Sequence, residues 1–570
     1  MLRRALVLLL LLALPGISLG QGPGEKYLSA TTQLYLRWDG FDAHRAAFDK
    51  SAMGQLLKGD TGKFLANLWE FIHDQALPLL DQVDPTASAL AKEIPGALTA
   101  VGKHGFALSV EARKIDPPQI EATFIFPRNG GPKGHLSGLV KKILTITNAE
   151  TKQLKVDNVT MQHFSFPEGP LEWAFGSDGD TAIMVVGTVD PASVLRRGAD
   201  VGNNITKHPL YKELQSFKEF PVWSSGFVDM AGIAKMASGF SPQVGRLVDD
   251  LGLNGLKSIT MYSGFDGPAD RSIVDINMTP ERKGLLALTR SQPFSLKDLP
   301  PLPDDINGFS ASSYDMKGMY DTLLSVAESG IRVYSPDIAD QVKFIVRQAE
   351  NLAGINIRDE LLGSLGGMMV SYSSPSESPF LGLGGVTLLQ VSDEKKLKKT
   401  LDAIFKAAPQ IPFAEFEAKR KMYRGVELIE LHSAAGFTTP TVCIHKGWLV
   451  YANYPQPVQG FVLRSTGNYP TWKADAATLK ALSAFPKEFT GFSYSDPRPS
   501  AKFLLSLLPP IMSGINGAVK QFVPGSKEFD VSSIPHPLEV TRHLFPNISV
   551  TIDDGKKLRY DSRASLALPF

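Results

Sequence analysis

The chain predicts an α+β fold made of two tandem, structurally similar halves, each a mainly antiparallel sheet with helices packed on one face. Three observations carry this. The sequence is self-similar at a nearly fixed offset over most of its length, the mark of an internal repeat. Short alternating apolar and polar runs follow one another through tight-turn signals, as in antiparallel sheet. Between them stand apolar stripes at helical spacing, which would cover a sheet face.

The 570 residues open on Arg3 and Arg4, an apolar run from Ala5 to Leu14, then Pro15-Gly16, with Ser18 and Gly20 just before a cut at Gln21. That order reads as a secretory leader over residues 1–20, whose apolar part is shorter than the roughly 20 residues a membrane span needs. No cysteine stands at the cut, so lipoprotein-type attachment is excluded. No second apolar stretch reads as a transmembrane segment, and the expectation is a soluble protein, periplasmic or extracellular once the leader is cleaved.

The first α+β half is placed at residues 21–302. Leu34 to Trp38 is a strand closed by Asp39, and Phe64, Leu68 and Phe71 paint one face of the helix that follows. Strands are expected at 105–111 and 121–126, then a helix carrying Leu136, Val140, Ile143 and Leu144. Strands at 160–166, 172–175 and 181–186 follow, the last two joined through Ser177-Asp-Gly179, and Pro191 opens a helix. Another aromatic strand ends at Asp229, and a hairpin centres on Asp266-Gly267.

Pro293 to Asp305, with Pro300-Pro301 and Pro303, marks the boundary, and the second half is placed at residues 303–570. Asp315 closes its first strand as Asp39 does. Ile338, Val342 and Ile345 repeat the apolar stripe, and Leu397, Leu401, Ile404 and Phe405 repeat the second helix, begun behind a Ser392 cap. Strands at 367–372, 384–391, 426–432, 441–445 and 448–453 match the first half, with Lys446-Gly447 as the turn. Pro457 opens a helix as Pro191 does, Asp496 ends a strand as Asp229 does, and Asp554-Gly555 centres the last hairpin. Val159 and Val426 share one offset with Asp229 and Asp496, 426 − 159 = 496 − 229 = 267. The second half also carries an extra proline-flanked segment, 534–546.

Lys and Arg number 59 against 58 Asp and Glu, a net charge of +1, which gives no reason to expect nucleic acid as a partner. Cys443, the one cysteine, rules out an internal disulfide and a cysteine-based metal site within one chain. Its alternating setting, Thr441-Val-Cys-Ile-His445, reads as a buried strand position.

No motif brings chemistry with it, and the expectation is no catalytic, cofactor-binding or metal residue and no cofactor. Ser392-Asp-Glu-Lys395 matches S-x-x-K but lacks the companion elements of penicillin-recognising enzymes. No G-x-S-x-G elbow is present, and Ser224-Ser225-Gly226 lies inside a strand. His536, Glu539 and His543 have the spacing of one helical face, yet Pro537 pushes His536 out of the helix. Gly382-Leu-Gly-Gly385 and Gly59-Asp-Thr-Gly-Lys63 miss the required positions of phosphate loops and read as turns. Asp39, Asp229, Asp315 and Asp496 recur between a strand and a helix, where a carboxylate caps free backbone N–H groups.

Tyr35-Leu-Arg-Trp-Asp-Gly-Phe-Asp42, Tyr423-Arg-Gly-Val-Glu-Leu, His445-Lys-Gly-Trp-Leu-Val450, the closing Pro546 and Leu566-Ala-Leu-Pro-Phe570 resemble exported hypothetical proteins of planctomycete bacteria. They are also similar to a bacterial domain-of-unknown-function family that repeats a strand-Asp-helix unit and a D-G-W-L-V hairpin. In the first half the hairpin reads Asp178-Gly-Asp-Thr-Ala-Ile183, without the tryptophan. The resemblance implies the repeated frame and export, and brings no activity, cofactor or catalytic residue.

The function expected is therefore a non-catalytic binding or scaffolding module of the periplasm or cell envelope, with an unknown protein or envelope partner. One alternative is an extracytoplasmic hydrolase whose site is assembled from distant residues. Another is a carrier of an apolar ligand, in a cavity lined by residues such as Phe71, Ile345 and Leu401.

Overall fold

The structure, a computed structural model, describes residues 23–566 except 116, 133, 157–158, 167–170, 199, 201, 336–337, 339–340, 378–384, 408–415, 434–437 and 523–526. The leader and most of Gly382-Leu-Gly-Gly385 and Leu566-Ala-Leu-Pro-Phe570 lie outside the described residues. The fold is α+β, and every described strand pairing is antiparallel.

The strands are β1 (Leu34–Trp38), β2 (Phe106–Lys114), β3 (Gln119–Phe126), β4 (Glu150–Val156), β5 (Val159–Ser165), β6 (Glu172–Asp178) and β7 (Thr181–Gly187). Then come β8 (Val222–Val228), β9 (Leu256–Asp266), β10 (Ala269–Met278), β11 (Gly308–Ser313), β12 (Leu365–Ser373), β13 (Val386–Val391) and β14 (Phe416–Tyr423). The last are β15 (Val426–Ser433), β16 (Thr441–His445), β17 (Trp448–Ala452), β18 (Gly491–Ser495), β19 (Asn547–Asp553) and β20 (Lys557–Ala564). Helices used below are α1 (Asp60–Val83), α2 (His135–Thr147), α3 (Pro191–Arg197), α4 (Pro209–Ser216), α5 (Glu394–Ala407), α6 (Pro455–Arg464) and α7 (Pro497–Phe522).

One sheet has fourteen strands, in the order β1-β8-β9-β10-β20-β19-β18-β11-β12-β13-β17-β16-β15-β14. The other has six, β2-β3-β7-β6-β5-β4, with Gln33 just ahead of β1 donating to Val110 of β2 at 3.0 Å. Turn chemistry sets the hairpins. Lys446 and Gly447 both take positive φ between β16 and β17, the two-residue turn whose twist suits antiparallel strands. Gly267 and Gly555 take left-handed φ in the β9–β10 and β19–β20 turns.

Helices cover both faces of the six-stranded sheet rather than one face. β7 explains why: Thr181 to Val185 are buried in succession, so the strand is apolar on both sides and each needs a cover. Val194 and Leu195 of α3 pack with Ile183 and Val185, while Leu136, Val140 and Leu144 of α2 pack with Ala182 and Met184 on the other side. A second large core gathers Val458, Phe461 and Val462 of α6 on Leu388, Cys443 and Val450. It also takes in Phe294 and Leu302, so the proline-rich boundary segment is packed, and Phe294 and Phe489 exchange backbone bonds of 2.9 and 3.0 Å.

Where β10 meets β20, charged pairs flank the buried Ile273. Arg271 binds Asp561 with two bonds of 3.1 and 2.7 Å, and Arg559 binds Asp275 with bonds of 2.8 and 2.9 Å. Both are bidentate guanidinium–carboxylate pairs, the geometry in which such pairs are strongest.

Several sequence expectations are corrected. α6 opens at Pro455, with Pro457 third in the helix. Asp393, not Ser392, caps α5, accepting from Lys396 N at 3.0 Å, because Ser392 Oγ is turned to Leu365 O. The stripe at Phe64, Leu68 and Phe71 packs on Met512 and Phe529, whereas Ile338 and Ile345 are exposed. Finally, among the described residues Pro497–Gln521 is long and apolar enough to cross a membrane by length and composition. Pro509-Pro510 interrupt that run in the sequence and conceal it.

Candidate functional site

The four repeated acids stay apart. Asp39 N bonds to Trp223 O and Asp229 N to Gln33 O, so on the antiparallel β1–β8 pair the two acids sit at opposite ends, about 20 Å apart at the rise of a strand. Asp496, level with Asn307, and Asp315, beyond Ser313, are likewise at opposite ends of the β11–β18 pair. No paired-carboxylate site forms within either pair.

Three of them are caps. Asp229 accepts from Gly232 N at 3.0 Å, Asp315 from Gly318 N at 3.0 Å, and Asp496 from Arg498 N at 3.0 Å while also binding the Arg498 guanidinium. Asp39 is not a cap. Its carboxylate lies 2.6 Å from His44 Nε2 and 3.4 Å from the buried Arg37. Arg37 also faces Glu25 at 3.4 Å, and Glu25 accepts from the phenols of Tyr35, at 2.8 Å, and Tyr211. Burial pushes the Glu25 carboxyl above the ordinary carboxylate range against the pull of Arg37.

Two arginines that motif reading passed over are the main internal anchors. Arg197 of α3 binds Glu121 with bonds of 2.7 and 2.9 Å and donates to Tyr27 O at 2.8 Å. Arg464 of α6 binds Glu377, donates to the Tyr372 hydroxyl at 2.7 Å and to Pro301 O at 3.0 Å. Their spacing, 464 − 197 = 267, is the offset already seen at Val159 and Asp229 and was the signal that could have found them. Beside Arg197, burial raises the Glu111 carboxyl, but bonds from Arg113 and Thr31 outweigh it and hold the group below its ordinary value.

The large sheet carries a row of hydroxyls. Ser224, Ser263, Ser272, Ser562, Ser549, Ser493, Ser310, Ser371 and Thr387 stand directly opposite one another on nine adjacent strands, β8 to β13 in sheet order. Opposed residues of antiparallel strands share a face, and this row alternates with the apolar core residues Phe309, Val370 and Phe492. An open groove of about 930 Å³ lies over Ser310, Ser371, Thr387 and Ser493 and is edged by Asp496. A second, of about 650 Å³, holds Asp315, Arg282 and Lys317, in which Arg282 is already bound by Asp553 at 2.6 and 2.5 Å.

The widest apolar exposure is helical. α1 and α7 pack together through Phe64, Leu68, Phe71, Leu508 and Met512 against Phe529. Next to that seam, Leu65, Trp69 and Ile72 of α1 and Phe503, Leu504, Leu507, Ile511 and Ile515 of α7 face solvent, Trp69 at 54% and Leu504 at 61% exposure. This is more exposed apolar surface than the single scattered side chains common on a protein exterior.

The remaining motif residues do not converge. His536 Nδ1 accepts from Leu538 N, Glu539 pairs with Arg542, and Arg542 donates to His543, so this trio forms no ligand set. Lys63 pairs with Asp60 on the surface, and Ser224-Ser225-Gly226 lies in β8. Burial pushes the Cys443 thiol up to about 12. Phe71 lies on Phe529, Ile345 is exposed, and Leu401 edges a small groove beside β15 and β16.

No family model matches the chain, and no curated protein matches it. Among solved structures, crystal form I of TP0453 aligns at 8% identity over 47% of this chain and 82% of that one, with a TM-score of 0.23. Crystal form IV of TP0453 aligns at 8% identity over 45% and 81%, also at 0.23, and at that score the likeness carries no argument.

Proposed function

We propose that the chain is an exported, non-catalytic binding or scaffolding module of the periplasm or cell envelope, made of two copies of one α+β unit, residues 21–302 and 303–570. The observation that carries the binding role is the apolar face shared by α1 and α7. An exposed surface of that kind is what a module without chemistry of its own would use to hold a partner.

The tandem reading is supported by strand order. β10-β9-β8-β1 and β2-β3-β7-β6-β5-β4 run in the same sequence as β20-β19-β18-β11 and β12-β13-β17-β16-β15-β14. Val159 and Val426 open β5 and β15, and Asp229 and Asp496 follow β8 and β18. Arg197 and Arg464 hold equivalent helices to a backbone carbonyl of the segment that leads into each unit, Tyr27 or Pro301. The units then meet edge to edge through β10 and β20, which removes an exposed edge from each.

The hydrolase alternative requires a serine bonded to a histidine that a carboxylate orients. His44 with Asp39, His163 with Glu172 and His432 with Glu430 supply the second half of that arrangement, and among the described residues no serine hydroxyl bonds to any of them. Pull-down from the native envelope tests the binding role. The chain from Gln21 should retain a specific partner that a Leu65→Asp/Leu504→Asp variant of unchanged fold releases. Equal retention by both, or none by either, would count against the proposal.

A further inference from the structure

We propose that the groove over β19, β18, β11, β12, β13 and β17 binds an extended, neutral glycan chain, a role separate from that of the α1–α7 face. Two polar rows floor it. The first runs through Ser549, Ser493, Ser310, Ser371 and Thr387 and ends on Tyr451, which stands opposite Thr387 and is 41% exposed. Two residues along each strand, Asn547, Ser495, Gly308 and Ser373 stand opposite one another in the same way, and Gly385 and Asn453 follow one residue beyond the Val386–Ala452 pair. Alternate residues of a strand share a face, so both rows look away from the core that holds Phe309, Tyr372 and Tyr494. Across six strands they run about 24 Å at the spacing of a sheet.

The chemistry of the groove selects its occupant. A hydroxyl both donates and accepts, so a floor of hydroxyls and amides suits a ligand whose own groups do both at regular intervals. Ser310, Ser373 and Ser495 are exposed, and their hydroxyls have no hydrogen-bond partner among the described residues. Asp496 at the rim is held by the Arg498 guanidinium at 2.6, 2.8 and 3.0 Å, so neither an anion nor a cation finds a free counter-charge here. Each of the six strands is paired on both sides, so an extended peptide finds no backbone edge to add to. Gly308 and Gly385 leave the middle of the second row without side chains and open the depth of the groove, about 930 Å³ in all, to a ring. At one end the exposed Tyr451 ring, its hydroxyl donating to Asn453 Oδ1 at 3.1 Å, presents an apolar face with a polar tip, the match of a sugar ring with its C–H face and hydroxylated rim.

The test is titration calorimetry of the chain from Gln21, which keeps every described residue, with saturation transfer to the ligand read alongside, against cellohexaose, chitohexaose and the acidic hexagalacturonate. At least one of the two neutral hexasaccharides should bind to saturation, and the hexagalacturonate should not. Ser310→Val/Thr387→Val deletes two hydroxyls and keeps strand-forming side chains; at unchanged circular dichroism it should weaken that binding about thirty-fold, the worth of two hydrogen bonds. Gly385→Gln, whose added Cβ would meet nothing closer than Tyr372 O at 3.9 Å, should block it without disturbing the fold. Lys317→Ala, in the other groove, and Leu65→Asp/Leu504→Asp, on the helical face, should leave it unchanged. Binding of neither neutral hexasaccharide overturns the inference, as does equal binding of the hexagalacturonate or binding that survives both groove variants. The partner of the α1–α7 face is read separately by pull-down, so either result can fail without the other.

Discussion

Asp39, Asp229, Asp315 and Asp496 hold one place in the chain's pattern and do two kinds of work. Asp229→Ala and Asp315→Ala each delete a cap bond and should cost about 0.5–2 kcal/mol in urea unfolding. Asp39→Ala takes the acceptor from His44 and one of two carboxylates from buried Arg37, a loss of the buried-charge kind worth about 3–5 kcal/mol. Equal costs at all three would mean that Asp39 caps as well. Glu111 gives a pH test. Its folded carboxyl sits below the ordinary value of 4.5, so its stabilisation is complete above that value and is lost as pH falls through the lowered one. The stability gap between the parent and Glu111→Gln should therefore narrow between pH 6 and pH 3.5; a constant gap would mean that the charge is not what matters. The caps were legible because a strand, an acid and a helix are adjacent in sequence. The Asp39 network was not, since Glu25, Tyr211 and Arg37 come together only through the fold.

Strands and turns were the most legible elements, because alternation and Gly-containing turns are local signals. β4 and β14 were among the least: Glu150 to Lys155 is mostly polar and exposed at the outer edge of the smaller sheet, so no alternation betrays it. Helix faces were harder still. α2 and α5 read correctly as carrying an apolar stripe, but which sheet face such a helix covers depends on strands such as β7 that are buried on both sides. The helices α3 and α6 make the repeat testable. Arg197→Met leaves Glu121 with Arg113 as its remaining cation, whereas Arg464→Met leaves Glu377 with only the Tyr372 hydroxyl, so both should destabilise and the second should lose about 3–5 kcal/mol. If the two positions are equivalent anchors, both variants lose stability, Arg197→Met the less of the two because Arg113 still holds Glu121. A neutral effect at one of them would leave the shared offset as coincidence.

At the scale of the whole molecule, the fourteen-stranded sheet draws strands from both ends of the chain, and the charged β10–β20 seam makes one body of it. The self-similarity of the sequence made the order of elements legible, while the joining of two edges left no mark in any local pattern. The apolar surface of α1 and α7 was equally hidden, because an apolar stripe reads as core until the neighbour meant to cover it is found missing. That surface is the centre of the functional account, and hydrogen exchange of the chain from Gln21, alone and with a native envelope fraction, measures it most directly. The account predicts fast exchange through residues 503–519 in the free protein, where α7 is exposed and Pro509-Pro510 weaken its backbone bonding, and slowed exchange there and at 65–72 once the envelope is present. Protection confined instead to the groove of Asp315 and Lys317, or to the hydroxyl row of the large sheet, would contradict it.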